Sequence, residues 1–190
     1  MMSMRQELPT DKRYSLYLVP DEPVQSELQK LVRQLAGEFS SPVFVPHLTL
    51  LPEQWGQEAE ILALVTSLAR EVSTPITLQM LTVVARNSYF QCVLATTSLP
   101  EELAQLATGA RQLFGVADEN IPFHPHISLL YDGKDSTKTI LKPEQKQEAV
   151  EIAVAHLDLP QSFQVSGIEI HTSTPVVSEW QQVAQVPFGK

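Results

Sequence analysis

The chain has 190 residues, 43% hydrophobic and 18% charged, which suits a globular domain and excludes a disordered or low-complexity chain. Thirteen Lys+Arg against 22 Asp+Glu leave a formal net charge of −9, which argues against gripping extended nucleic acid through many phosphate contacts. Among 7 glycines there is no G-x-G-x-x-G, and Gly133-Lys134 lacks the upstream glycine and following Ser/Thr of a P-loop, so a bound phosphate must be met by side chains or a helix N-terminus.

In chain order, the polar start Met1–Thr10 has no apolar core of a signal peptide. Arg13–Val19 alternates and is rich in aromatic and aliphatic residues, as strands are. Asp21-Glu22-Pro23 opens a helix, with Leu28, Leu31, Val32 and Leu35 at helical spacing to about Phe39. Val43–Leu51 is extended and carries His47. Glu58–Val72 is a second amphipathic helix. Pro75–Arg86 and Tyr89–Thr97 are two strands joined by a hairpin at Asn87-Ser88. Thr97 or Ser98 caps a third helix from about Pro100 to Phe114. Ile121–Tyr131 is extended and carries His124 and His126. Pro143–His156 is a fourth helix, and Gln161–Thr172 and Glu179–Val186 are the last strands. Seven strands, four helices and no long linker predict a single α+β domain with a mixed or antiparallel sheet. One cysteine, Cys92, leaves no intramolecular disulfide, and no run of about 18 apolar residues occurs. The expectation is a cytoplasmic chain with no membrane span.

Two hexapeptides nearly repeat in the two halves: Pro46-His47-Leu48-Thr49-Leu50-Leu51 and Pro125-His126-Ile127-Ser128-Leu129-Leu130. The bare pattern H-x-[ST] also occurs at His171-Thr172-Ser173, but its middle residue is polar. That copy reads as a chance match, with His171 on a surface strand. One copy alone would pass as an ordinary strand histidine, but six aligned positions are not readily a coincidence. Residues i and i+2 of a strand share a face. His47 and Thr49 therefore project together, as do His126 and Ser128, each offering an imidazole beside a hydroxyl.

Two such pairs across a cleft suit in-line attack at phosphorus. One imidazole takes the proton of water, and the other protonates the leaving oxygen. The hydroxyls of Thr49 and Ser128 hold the non-bridging oxygens as charge develops. The scheme needs no metal and no cofactor. His124 and His126 share a face, so a three-histidine metal site with His47 is the competing reading, though it leaves the Thr/Ser repeat unexplained. His124 otherwise sits at the rim, His156 favours a helix C-terminus, and Cys92 is a small core residue. Trp55 and Trp180 are packing or rim aromatics. Lys12, Arg13, Arg86, Lys134 and Lys138 are placed near the cleft mouth. Lys134 and Lys138 either meet a remote substrate phosphate or are solvated surface charge.

The paired motifs resemble the two-histidine (2H) phosphoesterase superfamily. Tyr14–Pro20, Phe44–Leu50, Phe90–Val93 and His126–Tyr131 resemble its cyclic phosphodiesterase-like branch in order and rough spacing, over about residues 13 to 131. The resemblance implies one two-lobed domain over 1–190, with 1–12 a flexible tail. Its antiparallel sheets line a central cleft, its helices lie outside, and its halves are related by a pseudo-twofold axis. It implies metal-independent opening of nucleoside 2′,3′-cyclic phosphates to 2′-phosphates, and of ADP-ribose 1″,2″-cyclic phosphate to ADP-ribose 1″-phosphate. By position, His47 and His126 are the acid/base pair, Thr49, Ser128 and Tyr131 phosphate ligands, and Tyr17 and Phe90 substrate contacts. Tyr17 stands where that branch often has Trp, which bears on base stacking. Tyr131 follows His126 by five residues, so it reaches the cleft only if the strand bends near Leu130. Otherwise it caps the sheet edge. The expected partner is a small cyclic-phosphate nucleotide acting on a monomer. The alternatives are a 2′-5′ RNA ligase-like or RNA-end-processing enzyme, and a non-catalytic nucleotide-binding module.

Overall fold

A computed structural model describes residues 12–116, 122–133 and 141–189. Within them the order is β1 (Lys12–Leu18), α1 (Val24–Phe39), β2 (Leu48–Gly56), α2 (Glu58–Arg70), β3 (Ile76–Ala85), β4 (Val93–Thr97), α3 (Glu101–Leu113), β5 (His126–Leu130), α4 (Pro143–His156), β6 (Gln161–Val165), β7 (Gly167–Thr172) and β8 (Gln182–Pro187). Lys12, assigned to the tail by sequence, is the first residue of β1. Residues 1–11 lie outside the described residues.

The helices form where apolar residues recur every three to four positions. Leu28, Leu31, Leu35 and Phe39 of α1 all enter the core. The Glu22 carboxylate accepts the N–H and hydroxyl of Ser26, satisfying a donor that the first turn leaves orphaned. Ser40 ends α1 in the left-handed region, φ 53°. The expected hydroxyl cap on α3 is corrected. Pro100 precedes it with no side-chain cap, and the Ser98 hydroxyl accepts the Gln79 N–H instead, at 2.9 Å.

All eight strands form one antiparallel sheet, ordered β6-β3-β4-β5-β2-β1-β7-β8. The predicted strand Gln161–Thr172 is two strands, β6 near one end and β7 near the other. A single residue, Ser166, joins them. One residue spans only about 3.8 Å, so the sheet must curl until its ends meet. The Asp21 N–H donates to the Gln164 carbonyl at 2.8 Å across that seam, and the Ser166 hydroxyl donates to the Asp21 carboxylate. Gly167 is required here, because a Cβ would lie 2.6 Å from the Val186 carbonyl oxygen.

The expected antiparallel lobes are the two halves of this sheet, meeting at β2–β5. They share a topology: β1-α1-β2-α2 matches β4-α3-β5-α4. Each crossover helix covers the opposite half, α1 packing on β5 and α3 on β2. α4 backs β3 and β4, and α2 backs β7 and β8. Leu48 and Ile127, each 0% exposed, belong to the large core that these helices cover. Among the described residues no helix is long and apolar enough to cross a membrane.

Candidate active site

The two hexapeptides meet at the centre of the sheet. Leu48 pairs with Ile127 across the β2–β5 seam. In an antiparallel pair that register sets His47 opposite Ser128 and Thr49 opposite His126. Since i and i+2 share a face, all four groups stand on the face opposite Leu48 and Ile127. The pseudo-twofold axis passes through this pair, so each imidazole faces the hydroxyl of the other motif.

Each copy also carries a bulge at the same position. Leu16 and Tyr17 pair with Leu51 and Thr49, leaving Leu50 extra. Val93 and Leu94 pair with Leu130 and Ser128, leaving Leu129 extra. A bulge breaks the two-residue alternation, and this brings Tyr131 to the histidine side. Its ring stacks on Phe44 at 3.8 Å between centroids and lies 5.3 Å from Phe90 and 6.3 Å from Trp180. Tyr131 is 2% exposed, and burial pushes its phenol well above the usual range.

Both imidazoles are held alike. His47 Nδ1 lies 2.6 Å from the Val45 carbonyl oxygen, and His126 Nδ1 lies 2.9 Å from that of His124. A carbonyl only accepts, so each Nδ1 carries its proton and each Nε2 is left for chemistry. His47 is 6% exposed. Burial, reinforced by the nearby His171 and His126 rings, lowers its pKa to about 3. His126 is half-buried. Its pKa is also lowered, by burial first and then by the Arg86 guanidinium and His124. The Ser128 hydroxyl donates to the Phe90 carbonyl at 2.6 Å, whereas no hydrogen bond engages the half-buried Thr49 hydroxyl among the described residues.

Tyr17 stacks on His47 at 3.6 Å, with 19° between planes. Burial pushes its phenol up to about 12. Phe90 is 42% exposed and stacks with Trp180 at 6.0 Å. The strand predicted from Tyr89 begins at Val93, so Tyr89 and Phe90 lie in the loop that the Arg86 N–H and Cys92 carbonyl close at 2.9 Å. Cys92 is buried. Arg13 is engaged by Glu53 at 3.1 Å and lies over the Trp55 ring, and Arg86 donates to Gln91. Lys134 and Lys138 lie outside the described residues. Among the described residues no three His, Cys, Asp or Glu side chains are placed to hold a metal ion.

His171 also departs from its sequence reading. Expected on a surface strand, it is 5% exposed, pairs with Glu169 at 2.7 Å and lies 4.8 Å from the Tyr17 ring. It lines a recess of about 490 Å³ that opens beside His47. The third H-x-[ST] match thus sits by the site, on the strand next to β1. Ile168 and Ile170 alternating with Glu169 and His171 mark a strand with one buried face and put His171 on the other, so nothing in the local pattern signalled its burial.

The family model of the cyclic phosphodiesterase-like protein matches residues 13–188. The chain is 28% identical over 144 residues to the cyclic phosphodiesterase of Arabidopsis thaliana, covering 74% of this chain and 72% of that one. The fold matches Escherichia coli LigT complexed with 3′-AMP at a TM-score of 0.59 and 19% identity, over 95% of this chain and 99% of that one. It matches TT0787 of Thermus thermophilus at 0.61 and 18%, over 93% and 98%. A match along nearly the whole length, on a sheet that brings the two H-x-[ST] motifs to one seam, places the chain in the cyclic phosphodiesterase-like family of 2H phosphoesterases, and the protein is a phosphodiesterase.

Proposed function

We propose that the protein opens small cyclic phosphates without a metal, nucleoside 2′,3′-cyclic phosphates to 2′-phosphates and ADP-ribose 1″,2″-cyclic phosphate to ADP-ribose 1″-phosphate. The observation that carries this is the Leu48–Ile127 register. It puts an imidazole on each side of one point and a hydroxyl beside each. In-line displacement needs a base behind phosphorus and an acid in front of it.

His47, the more buried ring and the one held neutral furthest below its ordinary range, is the base. Its free Nε2 takes a proton from the attacking water. His126, more open to solvent, is the acid. The substrate's negative charge favours its protonated form, and it delivers that proton to the departing 3′ oxygen, leaving the phosphate on the 2′ oxygen. Thr49 donates to one non-bridging oxygen. Ser128 turns from the Phe90 carbonyl to donate to another. Tyr131 stays protonated at any working pH and supplies a third donor from the cleft floor. Phe90 offers an exposed face to the substrate. Tyr17 has one face covered by His47, so it orients that ring more than it stacks on a base. The support for nucleotides as ligands of this fold is LigT, whose structures include complexes with 3′-AMP, ATP and NADP+.

The test incubates the protein with EDTA and each cyclic phosphate and identifies the product isomer. His47→Ala and His126→Ala run alongside. The expected result is 2′-phosphate, indifference to EDTA, and losses of about 10²–10⁴-fold in each variant. Activity lost in EDTA and restored by a divalent metal would reject the scheme. Turnover of RNA ends alone would mark an RNA-processing enzyme, and binding without turnover a non-catalytic module.

A further inference from the structure

Two imidazoles are buried among the described residues, His47 and His171, and the proposed chemistry uses only the first of them. β1 lies between β2 and β7. Tyr17 pairs with Thr49 on one side and with Glu169 on the other, and Ser15 pairs with His171. Tyr17, Glu169 and His171 therefore share the face that carries the two motifs. Tyr17 is gripped from both sides. The His47 ring stacks on it at 3.6 Å and 19°, and the His171 ring lies 4.8 Å away, tilted by 42°.

His171 has an anchor of its own. Its Nε2 lies 2.7 Å from Glu169 Oε2. A carboxylate only accepts, so this nitrogen carries a proton and donates it. The two side chains are 6% and 12% exposed. Taking an imidazole and a carboxylate out of water costs free energy that their attraction returns only in good geometry. A leucine at 171 would cover Tyr17 without that cost. What the pair adds is direction, because the hydrogen bond fixes which way the imidazole plane faces. The general base needs such direction. His47 is tied by one hydrogen bond, from Nδ1 to the Val45 carbonyl, about which its ring could still swing. The stacked Tyr17 ring sets the remaining angle. Productive geometry tolerates only about 0.5 Å and 10–20°.

We propose that Glu169 and His171 are positioning residues for the reaction. Glu169 orients the His171 imidazole, His171 fixes the Tyr17 ring, and Tyr17 holds His47 with its Nε2 aimed at the attacking water. The inference rests on the reading of His47 as the general base and adds how that base is aimed. Neither Glu169 nor His171 exchanges a proton with the substrate.

The test measures kcat and KM for a nucleoside 2′,3′-cyclic phosphate and records the imidazole ring-proton NMR signals of each variant. Each kcat is referred to the folded fraction read from the same spectra. His171→Leu fills the space but lacks the donor, and its kcat falls by about 10- to 100-fold while KM stays within about twofold. His171→Gln keeps an N–H for Glu169 and restores most of that loss. Glu169→Ala lowers kcat as far as His171→Leu, and the double variant falls no further, because both act through one path. Glu169→Ala, on the cleft face, also reports where His171→Leu does not fold. In the native spectrum the Tyr17 ring at 3.6 Å shifts the His47 ring protons upfield. In His171→Leu and Glu169→Ala they return toward their ordinary positions while those of His126 stay. A full kcat in His171→Leu, equal losses in His171→Leu and His171→Gln, or additive losses in the double variant overturns the proposal. If the native protein turns over no cyclic phosphate, the catalytic reading fails, and the His47 signals by themselves uphold or overturn the orienting chain.

Discussion

At the scale of single residues, the decisive quantity is the charge on two imidazoles. The ordinary histidine pKa is about 6.5, and His47 in the fold is held near 3 by burial. As pH falls through 6.5 the unfolded chain binds a proton that the folded chain does not, down to about pH 3. Folding stability from this group is therefore complete above 6.5 and lost across that window, by up to about 1.4 kcal/mol per pH unit. Urea midpoints measured from pH 7.5 to 4 should fall more steeply for the native protein than for His47→Gln. The same environment shapes the rate. With the proposed roles, a base titrating near 3 and an acid titrating below the ordinary range place the maximum of kcat/KM on the acid side of neutrality. A pH profile rising from 7.5 to about 5.5 is expected, and a maximum above pH 7.5 would count against the roles assigned. Tyr131→Phe should lower kcat/KM by about 10- to 100-fold, the loss of one hydrogen bond to a charged group. An unchanged value would mark Tyr131 as packing alone.

At the scale of elements, one buried ion pair does much of the positioning. Asp132 (0% exposed) and Lys146 meet at 3.0 Å. The Asp132 carboxylate also accepts the Leu141 N–H at 2.8 Å, and Lys146 reaches the Arg86 carbonyl at 3.3 Å. Four pieces are tied together: the end of β5, the segment just before α4, α4 itself and the loop whose Phe90 carbonyl holds Ser128. Removing one partner leaves a buried charge uncompensated. Lys146→Ala should therefore cost about 3–5 kcal/mol in chemical denaturation. Asp132→Leu together with Lys146→Met should recover most of that. The hexapeptides and all four helices were legible in sequence, because period-2 and period-3.6 patterns report burial directly. The aligned bulges were not, since a bulge changes which residues pair without changing which are apolar. Nor was the loop before Val93, where Tyr89 and Phe90 read as strand by aromatic content but pack as a rim. Lys146 was invisible for a related reason: its partner lies 14 residues away, in the turn at Asp132-Gly133.

At the scale of the whole molecule, the net charge of −9 bears on the size of the proposed substrate. Of the described cations near the site, Arg33 lines the recess beside His47 and Arg86 acts on His126, while Arg13 is engaged by Glu53. A polyanion meets long-range repulsion that a mononucleotide barely feels, and salt screens that repulsion within about 10 Å at 0.1 M. An RNA decamer ending in a 2′,3′-cyclic phosphate should be a poorer substrate than the mononucleotide at low salt, with the gap narrowing as salt rises to about 0.5 M. A gap that widens with salt would reveal a basic groove. Sequence predicted antiparallel lobes and their pseudo-symmetry. It did not reveal that they form one curled sheet, because Gln161–Thr172 looks continuous and only Gly167 hints at the break. The close approach that requires that glycine comes from a strand some 20 residues further along.

The seam at Ser166 also sets an order of assembly. The half holding β3, β4, β5 and β6 draws its strands from one stretch of chain and is complete once Val165 has emerged. The other half pairs β1, the first strand made, with β7, so Tyr14 must wait for Thr172. Contacts so distant in sequence close slowly. During synthesis His126 and Ser128 are in place on a finished half-sheet before Tyr17 has His171 beside it. The recess beside His47 therefore closes only once β7 is made, and a nascent chain cut short before β7 has the His126 motif without the wall that His171 gives that recess.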